Sequence, residues 1–172
     1  MHVGRAEVKL TAFRFADPRD RGKASWRGYA ALTIAPQTGT IVRMKIVADT
    51  NTFLAVALDE PERPRIIDLA LGHDLIAPEI LPFEIGNALT AMMKKGTLRP
   101  HQVTSAWDAV QVIAVELRAI DIRSALGIAI RFGIYAYDAY FLECALSLRL
   151  PLLTLDAGMR RVARELSIQV LE

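Results

Sequence analysis

The chain has 172 residues, enough for one domain of ordinary size with an appendage. Its 52% hydrophobic content supplies a substantial core and excludes a disordered protein. A single cysteine, Cys144, excludes both an intramolecular disulfide framework and a cysteine-rich zinc site. The net charge of +2 is unevenly spread. Residues 1–43 hold eight Lys/Arg against three acids, a balance of +5, which leaves −3 for the rest of the chain.

Residues 1–43 show no sustained apolar period, and Asp17-Pro18 and Pro36-Gln37-Thr38-Gly39 are turn chemistry. They read as a basic, loosely ordered N-terminal extension, or as sequence ahead of a true start at Met44. The first residues lack the apolar core of a secretion signal, and no apolar run is long enough to span a bilayer. A cytoplasmic protein with no membrane attachment is expected.

From Met44 onward strands alternate with helices. Ile46-Val47-Ala48 suit a buried strand that stops at Asp49. Helices are expected over 52–58 and 65–71, with a brief strand at Leu75-Ile76-Ala77. Pro78 is expected to open a long helix to Lys95, closed by Gly96. A helix over 101–113 and a strand over 114–120 follow. Asp121 or Ser124 caps a helix that ends at Gly133, and Tyr137–Arg149 is the next helix, with Glu143 and Ser147 marking its polar face. A buried strand over Leu152–Leu155, a helix over 158–166 and a last strand over 168–171 complete the chain. This alternation specifies an α/β domain with a mainly parallel central sheet flanked by helices.

Four carboxylates in that pattern stand where a solvated face does not put them. Asp49 and Asp156 each end a buried strand, where parallel sheets place their ligands. Glu84 borders the apolar stripe of Leu81, Ile85, Ala88 and Leu89; alone it reads equally as a boundary residue paired with a lysine. Asp138 has Phe141, Leu142 and Ala145 on its own helical face and no basic residue in register. Converging carboxylates repel by roughly 4 kcal/mol per pair at 4 Å with an effective dielectric near 20. A cation must offset that, and an all-oxygen donor set suits Mg²⁺, with Mn²⁺ the alternative. The three histidines are scattered, and no glycine-rich phosphate loop is present.

Residues 44–172 resemble a PIN domain of the VapC toxin type. The resemblance is carried by Ile46-Val47-Ala48-Asp49-Thr50-Asn51, by Pro78 with Glu84 and Asn87-Ala88-Leu89, by Tyr137-Asp138-Ala139, and by Leu153-Thr154-Leu155-Asp156. It implies a PIN-like three-layer sandwich and a metal-dependent ribonuclease held inactive by a cognate antitoxin. It implies that Asp49, Glu84, Asp138 and Asp156 are catalytic and hold Mg²⁺ directly or through water, with Asn51 and Thr154 as supporting polar groups. RNA is then the substrate, and Lys94, Lys95, Arg160, Arg161 and Arg164 are candidates to contact it. The basic extension has no place in the family pattern, and Ala157-Gly158 replace the charged residues often found after the last aspartate. Helices 65–71 and 101–113 carry more apolar residues than a small sheet covers, and related toxins pair through helices, so a homodimer is expected. The rival reading is a catalytically inert PIN-like scaffold that binds protein or RNA; a Lys or Arg side chain among the acids would favour it. A phosphoacceptor receiver domain is excluded by the missing acid beside Asp49 and the missing strand-end lysine.

Overall fold

The computed structural model describes residues 43–172. The expected extension, and the question of a start at Met44, fall, apart from Arg43, outside the described residues. Among those described, no helix is long and apolar enough to cross a membrane.

The elements run β1 (Met44–Ala48), α1 (Thr50–Ala57), α2 (Arg63–Ala70), β2 (His73–Pro78), α3 (Leu81–Lys94), α4 (Pro100–Gln111) and β3 (Val115–Arg118). They continue with α5 (Ile122–Phe132), α6 (Ala136–Leu148), β4 (Leu152–Leu153), α7 (Ala157–Glu165) and β5 (Val170–Leu171). All four strand pairings are parallel, and the order across the sheet is β3-β2-β1-β4-β5. Parallel neighbours need crossover connections, so the helices cover the sheet and its centre is dry. Ile46, Val47, Ile76 and Leu152 are fully buried, and α6 packs across β1 and β2.

The strand order decides where a site can lie. β1 is central; the chain first builds outward through β2 and β3, then returns to place β4 and β5 on the other side. The direction of winding reverses between β1 and β4, and a crevice opens outside their carboxyl ends. Asp49 follows β1, and its backbone N–H donates to the Leu153 carbonyl of β4 at 3.1 Å.

The element order matches the expectation, and two boundaries differ for identifiable reasons. Pro78 ends β2 instead of opening α3. Pairing with β1 stops at Val47–Ile76, so the missing proline N–H removes no bond from that ladder. The helix starts at Leu81 with Pro82 in its first turn, where a proline's missing donor is harmless. β4 stops two residues short because the Thr154 hydroxyl accepts from the Asp156 N–H at 3.0 Å, a local bond that turns the chain out of the sheet. Asp121 caps α5 and Gly133 closes it at φ 63°, as the sequence indicates. Glu143 departs from the expected polar face: Ser147 is exposed, but Glu143 is only 6% exposed.

Candidate active site

Asp49 and Asp156 each leave a strand and cap the helix that follows. Asp49 is extended at φ −83°, ψ 167°, and its Oδ1 accepts from the Thr52 N–H at 3.0 Å, opening α1. Asp156 accepts from the Met159 N–H at 2.7 Å, opening α7. Capping by these two residues does not compete with a role in a site. A cap fixes the carboxylate at a helix N-terminus, above the crevice between β1 and β4.

Two threonines complete the arrangement. Thr154 Oγ1 donates to Asp49 Oδ2 at 2.5 Å, a short charge-assisted bond that ties the end of β4 to the end of β1. Thr50, the first residue of α1, donates through Oγ1 to Glu84 Oε2 at 2.5 Å and so joins α1 to α3. Both threonines are buried. Thr154 was legible as a supporting residue; Thr50 was missed. The available signal was its position directly after a strand-end acid, which by itself reads as ordinary helix-start chemistry.

The four carboxylates act on one another. Burial raises the Asp49 pKa to about 7, against hydrogen bonds from Thr154 and Thr52 that lower it, with Glu84 and Asp156 adding to the rise. Glu84 is raised first by burial, opposed by the Thr50 hydroxyl, and raised further by Asp138. Asp138 is raised by burial and then by Asp156. The influences link Asp49 with Glu84, Glu84 with Asp138, Asp138 with Asp156 and Asp156 with Asp49, so the four residues, from four separate elements, form a ring of electrostatic influence rather than a tight cluster.

No cation among the described residues pairs with these acids. Among the described residues, none of the four makes an ion pair, whereas Asp59, Asp74, Glu116, Glu165 and Glu172 each pair with Lys or Arg. Arg160 is near, but its guanidinium donates to the Leu155 carbonyl at 3.1 Å rather than to a carboxylate. Arg161 pairs with Glu165 and Arg164 with Glu172. Lys94 and Lys95 close α3, roughly 15 Å of helix beyond Glu84, so they stand away from the acids. A cavity of about 320 Å³ beside the acids is lined by Asn51, Met92 and Asp156 among others. A second of about 390 Å³ is bordered by Thr154, Arg65 and Arg160.

The donor set is entirely oxygen: four carboxylates, two threonine hydroxyls and the exposed Asn51 side chain, which suits a hard divalent cation. Among the described residues, no three His, Cys, Asp or Glu side chains are grouped closely enough to hold one ion as they stand. Asp49 and Glu84 are each drawn onto a threonine hydroxyl. The chemistry of the donors thus fits a metal, and the carboxylates would close on the ion as it binds.

Comparison with known proteins bears on the fold and the family. Ribonuclease VapC3 of Pyrobaculum aerophilum is 26% identical over 119 residues, covering 66% of this chain and 90% of that protein. The crystal structure of PAE2754 from Pyrobaculum aerophilum superposes with a TM-score of 0.57 at 18% identity, covering 74% of this chain and 83% of the other. VapBC2 from Rickettsia felis, bound to a DNA fragment from its promoter, gives a TM-score of 0.54 at 15% identity, covering 74% and 98%. Residues 46–165 match the PIN domain model, and the chain belongs to the PIN domain family.

Proposed function

We propose that this protein is an RNA endonuclease that works with a bound divalent cation, Mg²⁺ with Mn²⁺ as the alternative, and that it is the toxin of a VapBC-type pair. The observation that carries the reading is the ring of four carboxylates at the switch point, none of which pairs with a Lys or Arg among the described residues. The similarity to a protein named Ribonuclease VapC3 supports the activity, and that to a VapBC structure supports a cognate antitoxin as partner. Asp49, Glu84, Asp138 and Asp156 would hold the ion. When bound, a divalent cation supplies charge neutralisation and Lewis acidity for phosphodiester hydrolysis. Thr154 and Thr50 orient the Asp49 and Glu84 carboxylates, and Asp138 and Asp156 leave the opposite side of the ring partly open to substrate. Arg160, anchored on the strand-end carbonyls, would meet an RNA phosphate.

The inert-scaffold reading has one observation in its favour: the acids are not grouped tightly enough to hold an ion as they stand. Against it, no Lys or Arg pairs with them among the described residues. The test is incubation of the purified protein with total RNA, with Mg²⁺ or Mn²⁺ and with EDTA. Metal-dependent cleavage that is lost in Asp138→Ala is the expected result. Intact RNA with either metal would favour the scaffold.

A further inference from the structure

Away from the acidic edge, α5 and α6 pack against one another and leave a cavity of about 380 Å³, open to solvent, which shares no lining residue with the carboxylate ring. Glu143 forms part of its wall. This carboxylate is 94% buried, and its Oε2 has no hydrogen-bond partner. Burying an unpaired carboxylate oxygen is costly, so the group is held with an unmet need for a donor.

The other polar groups of the cavity share that need. Ser124 Oγ already donates to Asp121 Oδ2 at 2.8 Å, and Ser147 Oγ to the Cys144 carbonyl at 3.3 Å. The Ser124 proton is committed to Asp121 and the Ser147 proton is shared between the Cys144 carbonyl and the Glu143 carboxyl, which leaves Glu143 Oε2 unanswered and the serine lone pairs for a visitor. Asp121 adds negative potential; its hydrogen bond from Ser124 holds its pKa below the usual aspartate range, so it stays ionised. Ile128, Phe132, Leu146 and Leu166 supply apolar wall. Arg131 also lines the cavity, but its guanidinium lies over the Phe132 ring, 4.8 Å from the centroid, and makes no ion pair with Glu143.

We propose that the α5–α6 cavity binds an alkylammonium group, with the charged head on Glu143, Ser124 and Ser147 and the aliphatic stem along the apolar wall. An ammonium carries three donors and no acceptor, which matches a wall of acceptors whose own protons are spent. The same head is carried by a free aliphatic amine and by a lysine side chain.

The test is a titration of the full chain with n-butylammonium, followed by calorimetry and by methyl NMR of Ile128 and Leu146. Saturable binding is expected with a Kd on the order of 1 mM, given the few atoms of the probe. n-Butanol, of equal size and no charge, should bind at least tenfold more weakly. Glu143→Gln should weaken the ammonium at least tenfold while leaving the circular dichroism unchanged. If that variant fails to fold, Ser147→Ala, at an exposed position, serves instead and should weaken binding severalfold. Comparison of 1,4-diaminobutane with Nα-acetyl-lysine methylamide identifies the source, since the tighter ligand is the one the cavity accommodates. Equal affinity for butanol, undiminished affinity in a folded Glu143→Gln or Ser147→Ala, or methyl shifts confined to residues outside the cavity would each overturn the proposal.

Discussion

Replacing Asp49 by asparagine should make the metal-free protein more stable, and only above about pH 5. The Asp49 carboxyl has its pKa raised to about 7, principally by burial. Its folded form therefore binds a proton more tightly than the unfolded chain, whose aspartate titrates near 4. Between those values the folded state holds more protons, so stability falls as pH rises through the window from about 4 to about 7. Three units at about 1.4 kcal/mol each set a ceiling of roughly 4 kcal/mol lost by pH 8. Asparagine removes the charge and keeps most of the contacts. Its Oδ1 can still accept from the Thr52 N–H, and its Nδ2 can donate to the Thr154 hydroxyl, which then turns its proton toward Met159 Sδ, 3.8 Å away. Exchanging the short charged bond for a neutral one costs about 1 kcal/mol. A net gain of about 2–3 kcal/mol corresponds to a melting rise of roughly 10 °C for a domain of this size. The assay is thermal melting in EDTA from about pH 4.5 to pH 8. A variant no more stable than the wild type at pH 8, or a gap of equal size at pH 4.5, would refute the reasoning.

Other outcomes follow from the same geometry. Asp138→Ala should lower RNA cleavage at least a hundredfold while the melting profile stays cooperative; near wild-type turnover in saturating Mg²⁺ would remove Asp138 from the site. Thr154→Val, which unties Asp49, should weaken Mg²⁺ affinity by about 10–100-fold by calorimetry. Stabilisation by Mg²⁺ should grow from pH 5 to pH 8, because the ion must displace the proton that Asp49 holds below about 7, and should reach about 2.7 kcal/mol at a hundred times Kd. A gain independent of pH would argue against that displacement. A chain beginning at Met44 should fold and cut RNA, since all four carboxylates and every strand among the described residues start at or after it. Light scattering should show a dimer. Exposed apolar surface lies at α2 and α4, with Ile67, Leu71 and Val112, and also on α5, where Ile122, Leu126 and Ile130 are 56%, 43% and 82% exposed at helical spacing. Ile130→Lys should then yield monomers, and an unchanged dimer would place the contact elsewhere.

Much of this fold was legible because its signals are local. Buried runs such as Ile46-Val47-Ala48, helix stops such as Gly133 and first-turn prolines announce their elements without help from the rest of the chain. The order of strands was not legible, since parallel pairing joins segments as distant as Val47 and Leu152. That order is what brings Asp49 beside the end of β4. Side-chain bonds across elements were equally hidden. Thr50 and Glu84 are 34 residues apart, and nothing at either position names the other. Glu143 was misread because its spacing to Ser147 mimics a solvated face, although only Ser147 of the two is exposed.

If the site holds a cation as proposed, the choice of hydroxyls around the acids explains how it would keep its affinity. At Glu116 on the surface, hydrogen bonds and charge from Lys45 and Arg118 hold the carboxyl below its usual pKa, and the group is fully answered within the chain. A lysine in place of Thr154 would do the same for Asp49: it would stabilise the empty fold and fill the position an ion needs. A threonine donates one hydrogen bond and no net charge, so it aims the carboxylate without neutralising it. The pKa of about 7 at Asp49 records that incomplete compensation, with burial outweighing both hydrogen bonds. Stability forgone in the empty protein becomes available when a divalent ion enters, which ties the strength of metal binding to the dryness of the sheet edge. The same argument assigns different work to the two sides of the ring. On the proposed function, Asp49 and Glu84, held by threonines, would set the direction of approach for the ion, and exposed Asp156 and half-buried Asp138 would leave the side for a phosphodiester to enter.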